Sequence, residues 1–216
     1  GLVISNVGII WKTDVPVLNE DCIVVGNHEE VFQVQGGYSF SRIKELDLKN
    51  LFEVRIIWND FAQVVTLENL TTLKLRDCKK LGYIFSPTTA HSLSHLVNLF
   101  IEGLFPFGYV PVLPKLECLK LKMNSKLEQV FELEDEVEVT AEKEMNFDKL
   151  EWLSLEELPG LIRFCPKRYH FVLSALRVLT VRDCPKLTTD FFIDSQEFVH
   201  CKTKVSILQP FNPTLF

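Results

Sequence analysis

The sequence predicts an α/β repeat solenoid: an open coil of stacked units with a parallel sheet on the concave side and mostly loops or short helices on the convex side. Three observations predict it. An LxxLxL pattern recurs as Ile43-Leu46-Leu48, Leu70-Leu73-Leu75, Leu96-Leu99-Ile101, Leu116-Leu119-Leu121, Leu150-Leu153-Leu155 and Leu176-Leu179-Val181. Fifteen of those 18 positions are Leu, where the 31 leucines among 216 residues would place roughly three by chance. Another apolar residue stands three positions before each motif (Phe40, Leu67, Leu93, Leu113, Phe147, Leu173), and one more eleven after its start (Val54, Leu81, Phe107, Leu127, Leu161, Leu187).

Successive motif starts are separated by 27, 26, 20, 34 and 26 residues. That spread brackets the roughly 20 to 29 residues of a leucine-rich repeat, with one long insertion, and predicts an irregular leucine-rich-repeat horseshoe. In such a unit xLxL is a short strand with its leucines turned inward. Strands of successive units pair in parallel and line a concave face, while the rest of each unit returns along the convex side.

Each stretch follows from this ruler. Residues 1–39 fit it poorly; Glu29 to Gln35 (EEVFQVQ) echoes Glu128 to Glu134 (EQVFELE), so the stretch reads as a degenerate repeat or N-terminal edge. Residues 40–190 hold six repeats. On the convex side, Ser86 as cap, Pro87 in the first turn and Ala90, Leu93 and Leu96 behind them predict a short helix. Pro106, Pro111, Pro114, Pro159 and Pro166 favour extended returns elsewhere. Phe85, Phe131, Phe164 and Phe191 recur at one place in the return path and predict a phenylalanine spine. The stretch 128–144 carries eight acids against one Lys and reads as a solvated acidic loop. Residues 191–216 read as a C-terminal segment covering the open edge of the last repeat.

Composition narrows the function. An apolar fraction of 47% and a charged fraction of 24% are those of a chain that buries a core. A net charge of −6 without a polybasic run argues against nucleic acid or an anionic membrane as partner. No apolar stretch approaches the roughly 20 residues needed to span a bilayer. The chain begins at Gly1 without a signal segment and reads as part of something longer.

No phosphate-cradling GxxxxGK[ST] or GxGxxG and no GxSxG occurs, so no enzyme, metal or cofactor site is expected. His91 and His95 share the i, i+4 spacing of a zinc pair, but Ser92 stands where HExxH needs Glu. His28, His170 and His200 have no partner readable from the sequence. Cys78 and Cys184 fall eight residues after their motif starts, where Asn124 stands in the fourth repeat. These three are expected to bond the backbone of the adjacent turn as a structural ladder. Cys22, Cys118, Cys165 and Cys201 read as ordinary thiols.

With catalysis unsupported, the concave surface becomes the candidate. Side chains alternating with the buried leucines should project from it in rows. Two rows read Asp47, Lys74, Phe100, Lys120, Ser154, Thr180 and Lys49, Arg76, Glu102, Lys122, Glu156, Arg182. They carry six bases and three acids, opposite in sign to the whole chain, although Glu45, Asp77, Glu157 and Asp183 flank them. The expected partner-binding residues are Lys49, Lys74, Arg76, Phe100, Lys120, Lys122, Trp152 and Arg182, because aromatic and Arg side chains dominate interface energetics.

The stretches LTTLKLRDCKKLGYIFSPTTAHSLSHLVNLFIEG, LPKLECLKLKMNSKLEQVFELEDE and LSALRVLTVRDCPKL, with LKNLFEVRIIWND and the acidic run after LEQVF, resemble a known family. It is the C-terminal leucine-rich repeats of plant coiled-coil, nucleotide-binding, leucine-rich-repeat disease-resistance proteins, and the likeness covers roughly residues 28 to 190. Leu51, Leu104 and Leu158 depart from the Asn or Cys of the pattern. The resemblance implies a cytoplasmic recognition and autoinhibition module that senses pathogen effectors or effector-modified host proteins. It places ATP or ADP only in a nucleotide-binding domain outside this sequence, itself a partner of the repeats. The alternative is the substrate adaptor of an F-box ubiquitin ligase, whose repeats are more even than a spread of 20 to 34 residues.

Overall fold

The computed structural model describes residues 2–5, 8–11, 43–51, 68–79, 81, 93–103, 110–131 and 142–204. Its main feature is an eight-stranded sheet built from β1 (Leu2–Ser5), β2 (Gly8–Trp11), β3 (Glu45–Lys49), β4 (Thr72–Arg76), β5 (Asn98–Glu102), β6 (Cys118–Lys122), β8 (Trp152–Glu156) and β10 (Val178–Arg182). The order β10-β8-β6-β5-β4-β3-β1 is parallel throughout, with β2 added antiparallel to β1. Leucines stack in register across it: Leu46, Leu73, Leu99, Leu119, Leu153 and Leu179 form one row, and Leu48, Leu75, Ile101, Leu121, Leu155 and Val181 the next.

The strands form here because each xLxL alternates a buried apolar side chain with a projecting one, the period-2 pattern of a half-buried strand. From β3 to β8 the inward positions are essentially inaccessible. Each of β3, β4, β5, β6, β8 and β10 is then stopped by a residue in left-handed conformation: Asn50, Asp77, Gly103, Met123, Glu157 and Asp183, with φ of 56°, 52°, 113°, 56°, 54° and 54°. That turn sends the chain out of the sheet and toward the convex side.

β1 extends the ladder, with Leu2 opposite Leu46 and Ile4 opposite Leu48. No strand is readable there from the sequence, because a four-residue run carries too little of the period to register. The described convex side contains no helix. The helix expected from Ser86 falls largely outside the described residues; Leu93 to His95 form a turn closed by Leu96 N–H to Leu93 carbonyl at 2.9 Å.

A second sheet is the feature that repeat periodicity does not predict. β7 (Lys143–Asn146), β9 (Tyr169–Leu173), β11 (Thr189–Ile193) and β12 (Val199–Thr203) lie in the order β11-β12-β9-β7. β7 pairs parallel with β9, while β12 pairs antiparallel with both β9 and β11. β9, β11 and β12 are rich in β-branched and aromatic residues, which suits them to a pleated surface; β7, with the sequence KEMN, is not. Asp194 closes the β11–β12 hairpin by accepting the N–H groups of Gln196 and Phe198 at 2.8 and 2.9 Å.

The core lies between the two sheets. Phe131 packs edge-on to Phe164 at 5.3 Å and Phe171 at 5.6 Å, and Phe164 meets Phe191 at 5.7 Å. The expected phenylalanine spine is therefore present from Phe131 to Phe191, with Phe147 and Phe171 added; Phe85 lies outside the described residues. Thr189 and Thr203 are buried beside it, bonded to each other at 3.0 Å, with Thr189 Oγ1 accepting the Phe164 N–H and Thr203 Oγ1 donating to the Cys165 carbonyl.

Two expected segments lie partly outside the described residues, the acidic stretch at 132–141 and the C-terminal segment at 205–216. The acidic stretch 128–144 is built in at both ends: Gln129 bridges to Arg163, and Lys143 and Glu144 belong to β7. The described part of 191–216 does not cover the last repeat. It continues the convex sheet, and Leu179 and Val181 are 38% and 42% exposed at the sheet's end.

Candidate functional site: the concave face

The side chains between the buried leucines project in register, as the alternation requires. Asp47, Lys74, Phe100, Lys120, Ser154 and Thr180 lie in one line; Lys49, Arg76, Glu102, Lys122, Glu156 and Arg182 lie in the next; Trp152 stands beside Cys118 in a third. Lys74, Arg76, Phe100, Lys120, Lys122, Ser154 and Glu156 with their neighbours line a shallow groove of about 360 Å³.

The groove is not the free basic stripe that the residue rows imply. Lys74 Nζ lies 2.7 Å from Glu45 Oε1 and Arg76 Nη2 lies 2.6 Å from Asp47 Oδ2, each reaching diagonally to the preceding strand. Arg182 Nη2 lies 2.6 Å from Glu156 Oε2, and Lys122 Nζ lies 3.8 Å from Glu157 Oε1. Acids within the rows and beside them therefore neutralise these cations in pairs. Glu156 also accepts the Ser154 hydroxyl at 2.6 Å, and that bond, seconded by Arg182, holds its carboxyl below the usual range. Asp47 and Ser154 are the buried members of the projecting rows, Asp47 lying under the Arg76 guanidinium.

Lys120 is held differently. Its ammonium lies 4.1 Å from the centre of the Trp152 ring and 5.6 Å from that of Phe100, and Lys74 approaches the other side of Phe100 at 5.8 Å. Trp152 remains 41% exposed. Aromatic rings attract a cation through their quadrupoles, so this trio is a half-exposed platform that presents one positive charge, and among the described residues no carboxylate pairs with it.

Asn124, Cys78 and Cys184 all bond backbone groups. Asn124 is buried; its Oδ1 accepts the Lys126 and Leu127 N–H groups at 2.9 Å each, and its Nδ2 donates to the Gly103 carbonyl at 3.2 Å. Cys78 Sγ donates to the Arg76 carbonyl at 3.4 Å, and Cys184 Sγ to those of Arg182 and Leu155 at 3.3 and 3.5 Å. Burial pushes the Cys78 thiol up to about 11 and raises Cys184 as well, so both stay protonated donors.

Sequence reasoning missed one cluster. On the outer face of the convex sheet Phe192, His200 and His170 stack at 5.4 and 4.9 Å, with His170 Nε2 2.8 Å from His200 Nδ1 and His200 Nε2 2.8 Å from Asp194 Oδ2. No sequence spacing announces it, because β9 and β12 meet only through antiparallel pairing. Among the described residues no group of three or more His, Cys, Asp and Glu side chains is arranged to hold a metal; His91 lies outside them. Among the described residues no helix is long and apolar enough to cross a membrane.

A continuous parallel ladder of leucines, with Cys78, Asn124 and Cys184 bonding the backbone at their turns, defines the class as a leucine-rich-repeat solenoid. The chain belongs to the RPS2-like leucine-rich-repeat family of plant disease resistance proteins, whose family model matches residues 17–104 and 100–197. It is 31% identical over 160 residues to disease resistance protein RPS5 of Arabidopsis thaliana, an alignment covering 67% of this chain and 17% of that protein. The chain thus spans about a sixth of the length of that relative. No solved structure gives a significant match.

Proposed function

We propose that this chain is the protein-recognition and autoinhibitory module of an intracellular plant immune receptor of the coiled-coil, nucleotide-binding, leucine-rich-repeat class. It senses a pathogen effector, or a host protein altered by one, and otherwise contacts the receptor's own nucleotide-binding domain. The observation that carries this reading is the Phe100–Lys120–Trp152 platform, a half-exposed aromatic and cationic cluster of the kind that dominates protein interfaces. Family membership supplies the context of defence.

The module acts by binding alone. A partner that engages the concave face better when the repeats are released from the nucleotide-binding domain shifts the receptor toward its active state by that difference in affinity. These residues need no metal or cofactor; ATP or ADP belongs to the nucleotide-binding domain, and the receptor works in the cytoplasm.

The test is Lys120→Glu combined with Trp152→Ala in the full-length receptor. The response to its pathogen is expected to fall, or signalling to begin without one, while receptor accumulation stays normal. Signalling that is unchanged in both respects would count against the concave face as the contact.

A further inference from the structure

One pattern of main-chain bonds repeats along the concave sheet. The left-handed residue after each strand donates its N–H to the last carbonyl of the next strand: Asn50 to Arg76, Asp77 to Glu102, Gly103 to Lys122, Met123 to Glu156 and Glu157 to Arg182, all at 2.9 to 3.1 Å. At the other end the carbonyls of Lys44, Thr71, Val97, Glu117 and Glu151 each accept two successive N–H groups from the following coil. In β10 the equivalent groups are the Asp183 N–H and the Arg177 carbonyl, and neither has a partner among the described residues.

The same holds along the strand. Val178 N–H and the Arg182 carbonyl face β8, so even-numbered residues of β10 are used inward and odd-numbered ones point outward. Six groups are left facing out: the Arg177 carbonyl, both groups of Leu179 and of Val181, and the Asp183 N–H. Leu179 and Val181 are 38% and 42% exposed, whereas Leu153 and Leu155 beside them on β8 are fully buried.

We propose that β10 is a self-complementary edge through which two copies of this chain pair antiparallel, about a two-fold axis at Thr180. Among the residues whose main-chain groups point outward, this register sets Leu179 opposite Val181 and Arg177 opposite Asp183 of the second copy, so apolar meets apolar and charge meets its opposite there; Val178 falls opposite Arg182, which Glu156 already pairs. It is also the register in which all six outward groups pair. Centring on Leu179 leaves the Val181 carbonyl and Asp183 N–H unused and sets Arg177 against Val181. Centring on Val181 leaves the Arg177 carbonyl and Leu179 N–H unused and sets Leu179 against Asp183. The contact is isologous and therefore closes as a dimer. It uses the edge of the sheet, so it stands apart from the concave-face reading.

The test uses the 216-residue chain. Thr180 is on the axis at a non-hydrogen-bonded pair, where Cα atoms lie about 4.5 Å apart, within disulfide range. Thr180→Cys is expected to give a disulfide-linked dimer under mild oxidation, above the background of the wild-type cysteines, while Val178→Cys and Arg182→Cys do not. Sedimentation should show a dimer whose dissociation constant rises at least about tenfold in Leu179→Lys, an exposed site where folding is checked by circular dichroism. Arg177→Asp should weaken the dimer and Arg177→Asp with Asp183→Arg should restore it.

A wild-type monomer at about 100 µM overturns the proposal, that being weaker than a functional edge pairing would be. So does cross-linking of Val178→Cys at the same rate as Thr180→Cys. A monomer in which the Leu179, Val181 and Asp183 amides resist hydrogen exchange would assign the edge to a segment of the chain itself, and would overturn it equally.

Discussion

The Lys120 ammonium sits 4.1 Å from the centre of the Trp152 ring, on adjacent strands of the concave sheet. Both side chains come from positions between buried leucines, so their mutual placement is fixed by the ladder beneath them. An exposed cation and ring at this distance are worth about 0.5–1 kcal/mol. A double-mutant cycle of Lys120→Met and Trp152→Ala in urea unfolding is expected to give a coupling of that size. A coupling indistinguishable from zero would mean that the ring and the ammonium do not hold each other in solution.

The two best-made ion pairs of the face should behave unequally. Arg76 and Arg182 both reach a carboxylate at 2.6 Å, but the side chain of Asp47 is 3% exposed and that of Glu156 is 25% exposed. Arg76→Ala strands a buried carboxylate, which costs about 2–3 kcal/mol. Arg182→Ala breaks a solvent-exposed pair and should cost less than about 1 kcal/mol. Chemical denaturation of the two variants side by side measures the difference, and equal losses would contradict it.

Asn124 ties two coils together, because one amide serves the Lys126 and Leu127 N–H groups and the Gly103 carbonyl. Asn124→Leu keeps the bulk and leaves those buried groups unpaired, so a loss of about 2–3 kcal/mol is expected. Asn124→Cys, which restores the residue type found at Cys78 and Cys184, should lose less. The order of the two thermal midpoints is the readout.

Much of this was legible in the sequence because it is local. Leu73 and Leu75 are buried and Lys74 projects between them for the same reason in every repeat, and the eight-residue offset that marks Cys78, Asn124 and Cys184 is part of the same period. The pairing of the charges was less so. Reading each row separately shows Lys74 and Arg76 as a basic stripe, whereas twist and side-chain length bring them diagonally to Glu45 and Asp47. The convex sheet was not legible at all. Tyr169–Leu173 and Val199–Thr203 are five-residue runs too short for their period to identify, the second of them largely polar, and their antiparallel union depends on a hairpin at Asp194 that the repeat pattern does not contain.

Gly160 shows how closely the coils approach. A Cβ added there would press into the Ser125 carbonyl oxygen and lie 3.3 Å from that of Leu127, both backbone atoms of the preceding repeat. The neighbour cannot turn aside as a flexible side chain would. Gly160→Ala should therefore cost about 1–3 kcal/mol through overpacking. A variant that unfolds at the wild-type midpoint would show that the two coils are not packed this tightly.

The histidine pair makes the convex sheet sensitive to acid. His170 is partly buried between β7 and β12, and burial, with Lys202 and then His200 nearby, holds its pKa below the ordinary 6.5, outweighing Glu142 and Glu144. Asp194, on the far side of His200, is lowered chiefly by its bond to that imidazole. An unfolded His170 takes up its proton first as the pH falls, so the unfolded state binds more protons in the window from about 6.5 down to the folded pKa. Stability contributed by neutral His170 is complete above 6.5 and is lost as the pH drops through that window. The geometry adds a reason: if both rings are charged, His170 Nε2 and His200 Nδ1 are both donors and their 2.8 Å bond cannot form. The thermal midpoint of the wild type should fall between pH 7.5 and pH 5.5, and His170→Gln should show a smaller fall over the same interval. An equal fall in the variant would place the acid sensitivity elsewhere in the chain.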